Sequence, residues 1–72
     1  MLKKGQIVQF INDRIFTKPE NRYKKIVAIP SGTIFIIERD LFDGTYLGIE
    51  VKSNKIQKTI IKPEEVIILT FN

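Results

Sequence analysis

The sequence predicts a small all-β domain of five or six short strands, curled into a barrel. Three observations lead there. Short apolar segments recur along the whole chain, each bounded by turn-forming residues, which is how closely spaced strands read. Residues 33–52 form the clearest of these units, a hairpin with the strongest apolar run in its first arm and apolar-polar alternation in its second. The chain has only 72 residues, enough for one domain over 1–72, and closing a small sheet on itself removes exposed edges.

The first strand is expected at residues 6–11, with Val8 and Phe10 toward the core and Gln9 toward water. Residues 12–22 show no periodicity, carry charge of both signs and contain Pro19 and Asn21. They are expected to form a long loop, with Ile15 or Phe16 tucked beneath it. Residues 23–29 form the second strand. Apolar groups stand on both of its faces, and Val27 and Ile29 are expected inward, with Lys25 at the mouth. Pro30-Ser31-Gly32 is a turn, with Pro fixing φ and Gly supplying the permissive position.

In the central hairpin, Asp43-Gly44 suits a two-residue turn with positive φ at both positions. That register would place Leu47, Ile49 and Val51 inside, and it would bring Glu38 and Asp40 inside with them. Unpaired buried carboxylates are costly. Three resolutions are open: a bulge near residues 38–40, a turn longer than two residues, or a ribbon that extends beyond the core. A bulge or strong bend is favoured, since it also helps a small sheet curl. A turn is expected at Ser53-Asn54-Lys55 and a strand at 56–61. Pro63-Glu64-Glu65 suits a single helical turn, because Pro is tolerated at a first helical position and carboxylates suit an N-terminus. A last strand follows from Val66.

The order of these elements resembles the SH3-like barrel superfamily, including its KOW and Tudor-type branches. Gly5-Gln6-Ile7-Val8 at the start, the Gly44-containing turn and Lys62-Pro63-Glu64-Glu65-Val66 near the end carry the resemblance. It implies a five- to six-stranded SH3-like barrel. The chain lacks Trp and an acidic cluster in its first loop, so proline-rich peptide binding is not carried over. The compact KOW glycine pattern is not matched either, so the resemblance carries little about nucleic acid.

Composition narrows the chemistry. There is no cysteine and no histidine. Disulfides, thiolate metal sites and cysteine nucleophiles are therefore excluded, along with the commonest general base at neutral pH. No phosphate-cradling glycine loop is present. No enzyme activity, cofactor or metal is expected. Glu38, Asp40 and Asp43 form the one carboxylate cluster, and a solvated hairpin face explains it better than a cation site. No apolar run approaches the roughly 20 residues a membrane helix needs. Lys3 and Lys4 are not followed by a signal-peptide core. A cytoplasmic protein without a membrane partner is expected.

Twelve Lys and Arg face eight Asp and Glu, a net charge of +4. Arg14, Lys18, Arg22, Lys24 and Lys25 lie close in sequence with Tyr23 among them, and Lys52, Lys55 and Lys58 form a second group. If the fold joins them, the patch would attract phosphates, with an aromatic ring beside the cations for base stacking. DNA or RNA is the leading expected partner. The competing expectation is a protein partner, or a second copy of the chain, docking on the hairpin tip at Leu41, Phe42 and Tyr46. Ile7, Ile11 and Ile15 also lack an assured place in so small a core.

Overall fold

A computed structural model describes residues 1–52 and 57–70. Its strands are β1 (Ile7–Phe10), β2 (Arg14–Glu20), β3 (Tyr23–Ile29), β4 (Ile34–Asp40), β5 (Tyr46–Glu50), β6 (Lys58–Ile61) and β7 (Val66–Ile68), with a single 3-10 turn at Pro63–Glu65 before the last. The protein is all-β. One antiparallel sheet has the order β6-β5-β4-β1-β7, and β2-β3 forms a separate two-stranded ribbon. The molecule measures 43 × 25 × 22 Å. No described helix is long and apolar enough to cross a membrane.

The core follows from strand alternation. Val8 and Phe10 point inward from β1 and Phe35 and Ile37 from β4, where Phe10 and Phe35 stack with ring centroids 5.4 Å apart. Leu2, Ile29, Tyr46, Ile61 and Val66 complete it. Val8, Phe35, Ile37 and Ile61 are the largest side chains wholly removed from water. Gln6 is the one buried polar residue among those described; its side-chain oxygen accepts from the Lys3 N–H at 2.7 Å.

Residues 12–22 do not form a loop. Arg14–Glu20 pairs with β3 along its whole length, from Arg14 opposite Ile29 to Glu20 opposite Tyr23. Only Asn21 and Arg22 turn the chain, with Asn21 at φ 52. Pro19 hid this strand. In a two-stranded ribbon, however, alternate N–H groups point away from the partner, so Pro removes no ladder bond there. Phe16 packs against the core as expected, whereas Ile15 faces water.

The central hairpin carries the expected bulge. Phe35 to Ile37 pair with Glu50 to Gly48, but Arg39 and Asp40 pair with Leu47 and Tyr46, so the register shifts at Glu38. The turn is longer than two residues. Two aspartates take local backbone groups instead: Asp40 Oδ1 accepts from the Phe42 N–H at 2.8 Å, and Asp43 Oδ1 from the Thr45 N–H at 3.0 Å. Such side-chain turns compete with a tight hairpin turn. Positive φ falls on Phe42 (60°) and Gly44 (88°) rather than on Asp43.

The inward face of β5 is also the opposite one from that expected. Tyr46 and Gly48 face the core, Leu47 and Ile49 are half-buried and Val51 is exposed. Ile61 and Phe35 fill the space over position 48, and a glycine there leaves room for them. The helical turn before β7 is present as expected. Its Lys62 N–H donates to Glu65 Oε1 at 2.9 Å, which fastens the start of the turn.

Candidate nucleic-acid interface

The ribbon is the feature that segregates charge. Its strands and turn carry Arg14, Lys18, Arg22, Lys24 and Lys25 against Glu20 alone. The rest of the chain holds seven cations and seven carboxylates. The whole positive excess of the protein therefore resides on one hairpin. Close spacing of like charge raises the local potential above what the net charge suggests.

The ribbon is fixed to the body at its base. Arg14 Nη1 donates to the Ile60 carbonyl at 2.5 Å, lies 3.5 Å from Glu65 Oε1, and its guanidinium sits 5.0 Å from the Phe16 ring centroid. Asp13 Oδ1 accepts from the Ser31 N–H at 2.6 Å across the two chain crossings. Ile29 enters the core from β3. Arg22 and Lys24 are exposed, and Tyr23 is 62% exposed.

The expected cations thus divide. Arg22, Tyr23 and Lys24 are all exposed at the ribbon tip, with Tyr23 and Lys24 on opposite faces of the ribbon. Arg14 is engaged with Glu65, so it braces the ribbon instead of presenting a free charge. Lys58 Nζ lies 3.3 Å from Glu38 Oε1 and is similarly occupied. Arg14 and Lys58 do line one open cleft of about 810 Å³ between the ribbon and β5–β6, with Phe16, Val27, Leu47 and Ile60. Lys52 is exposed after β5. The side chains of Lys18 and Lys25, all of Lys55 and the turn expected at 53–55 lie outside the described residues.

The carboxylates at the central hairpin are likewise committed. Glu38 pairs with Lys58, with its second oxygen buried and unpartnered among the described residues. Asp40 and Asp43 hold the 41–45 connection. The Thr45 hydroxyl and then its backbone N–H hold the Asp43 carboxyl below its ordinary pKa. No group of three or more possible metal-ligating side chains occurs among the described residues.

The hairpin tip is a distinct feature. Tyr46 does not belong to it: at 4% exposure it is a core residue, because it shares the inward face of β5 with Gly48. Leu41 is half-buried, whereas Phe42 is 91% exposed. Phe42 lines a second cleft of about 640 Å³ with Met1, Lys3, Lys4, Arg39 and Leu41. Lys3, Lys4 and Arg39 come together only through the pairing of the N-terminal segment with β4, seen in the Gly5 N–H donating to the Ile37 carbonyl at 2.8 Å. Nothing in their spacing announces it.

Phe42 is in the left-handed region without being Gly or Asn, which costs roughly 1–2 kcal/mol. Its side chain recovers little by burial. Phe42→Asn is therefore expected to raise stability by about 1 kcal/mol in a urea titration. An unchanged or lower midpoint would mean that the ring packs in solution.

No family model, no curated protein and no solved structure matches this chain.

Proposed function

We propose that this protein is a non-enzymatic binding module that holds nucleic acid through the β2–β3 ribbon. The supporting observation is charge segregation: in sequence, one hairpin bears the chain's entire positive excess and the remainder is neutral, with Arg22 and Lys24 exposed on it. A rod of regularly spaced phosphates is the natural partner of such a feature, since release of condensed counterions drives binding. Arg22 and Lys24 supply the exposed charge, and Arg14 holds the ribbon at its base. The strand order, the long excursion between β1 and β4, and the helical turn before β7 support placing the domain among SH3-like barrels.

The test is affinity for a labelled DNA or RNA across a salt series. With both Arg22 and Lys24 on phosphates, log affinity should fall against log salt with a slope of about −2 or steeper, because each contact contributes about −0.9 on duplex DNA. Absence of binding to any polynucleotide at low salt would remove this function.

A second reading has an observation of its own. Phe42 is held outward in an unfavourable backbone conformation beside Lys3, Lys4 and Arg39. A pre-organised aromatic knob rimmed by cations suits a protein partner with an apolar pocket and an acidic border.

A further inference from the structure

The ribbon has two faces, and their chemistry differs. Cross-strand pairing places Ile15 beside Ala28 and Thr17 beside Ile26, so these four share one face, with Pro19 and Lys24 farther along it. Ile15 and Ile26 are each 72% exposed, and Thr17 and Ala28 are exposed as well. Arg14, Phe16, Val27 and Ile29 lie on the opposite face, with Ile29 and Phe16 packed on the body, while Thr17, Ile26 and Ala28 also border the open cleft beside β5–β6. Two large aliphatic side chains therefore stand in water in the middle of the most cationic part of the molecule.

Resting on the reading above, we propose that the ribbon enters the major groove of duplex DNA, with Ile15, Thr17 and Ile26 against base edges and Arg22 and Lys24 on the flanking phosphates. Dimensions allow it. Two strands about 4.8 Å apart form a narrow blade, and the major groove is about 12 Å wide and admits a two-stranded β-ribbon. Chemistry favours it over the other occupants. Single strands bind by stacking bases on aromatic faces, and the outer face presents methyl groups with no ring, since Tyr23 lies on the other side. A second ribbon packed against the isoleucines would bring together two hairpins that each carry the chain's positive excess. In a major groove the apolar counterpart is the thymine 5-methyl group, which aliphatic side chains contact.

The experiment measures binding of the full chain to one A·T-rich sequence in three forms: duplex, single strand, and duplex with uracil replacing thymine. Methyl green, a major-groove ligand, and distamycin, a minor-groove ligand, serve as competitors. Ile26→Ser, at an exposed position, is checked by its thermal melt. The duplex should bind more tightly than the single strand. Loss of the methyls should weaken it by about fourfold per methyl contacted. Ile26→Ser should reduce the difference between thymine and uracil duplexes, and methyl green alone should compete. A single strand bound as tightly as the duplex, indifference to uracil, or displacement by distamycin would overturn groove entry while leaving polyanion binding intact. So would a dimer broken by Ile26→Ser with duplex affinity unchanged. Failure to bind any of the three forms at low salt would remove both proposals.

Discussion

Replacing Phe35 with alanine is expected to cost about 3–5 kcal/mol, the usual range for emptying a buried aromatic site. Phe35 is wholly buried near the start of β4, its ring tilted against Phe10 and its Cβ close to the space above Gly48. A chain of this length is stable by only about 4–11 kcal/mol, so the loss is a large part of the total. The melting temperature should fall by about 12 °C or more, since 1 kcal/mol shifts a domain of this size by roughly 4–8 °C. Phe35→Leu, which keeps most of the volume, should recover the greater part. A small loss for Phe35→Ala would show that the core does not depend on the β1–β4 stack.

Gly48→Val should also be strongly destabilising, for the opposite reason. A Cβ at position 48 would overlap Ile61 Cδ1 and meet Phe35 Cβ at 3.4 Å. Ile61 is fully buried, so its terminal methyl has little room to retreat. Overpacking of this kind costs about 1–3 kcal/mol and occasionally more. The conflict is specific, which makes it testable by a double-mutant cycle with Gly48→Ala. Ile61→Val alone removes the offending methyl and should cost about 0.5–1.5 kcal/mol. Combined with Gly48→Ala, it should cost less than the sum of the two, because residues in contact are not additive. Strict additivity would place the damage of Gly48→Ala somewhere other than this contact.

Much of the sheet was legible because alternation is a local signal. Val8 and Phe10 on β1 and the turn at Pro63–Glu65 follow from neighbours in sequence, while on β3, where both faces carry apolar groups, Ile29 is the residue that enters the core. The bulge at Glu38 was legible as a conflict, since no straight register could keep both the aliphatics and the carboxylates content. Where non-local pairing decided the outcome, the sequence was silent. Pro19 concealed β2 because its tolerance depends on the ribbon having only two strands. The inward face of β5 depended on the volume already taken by Ile61 and Phe35. Of the candidate residues, Arg22, Tyr23 and Lys24 were readable as exposed neighbours in sequence. Arg14 and Lys58 were not readable as engaged charges, because their carboxylates lie at Glu65 and Glu38, far along the chain. Tyr46 was misplaced with the tip for the same reason as β5.

The location of charge, as distinct from its amount, is what the ribbon reading requires. The most direct measurement compares two doubly substituted proteins that lose equal charge, Arg22→Ala with Lys24→Ala and Lys3→Ala with Lys4→Ala, for salt-dependent duplex binding. The ribbon pair should weaken binding steeply and flatten the salt slope by about 2, roughly one unit per phosphate contact removed. The N-terminal pair should leave both nearly unchanged. Equal losses from the two pairs, or a greater loss from Lys3 and Lys4, would contradict the ribbon as the binding element.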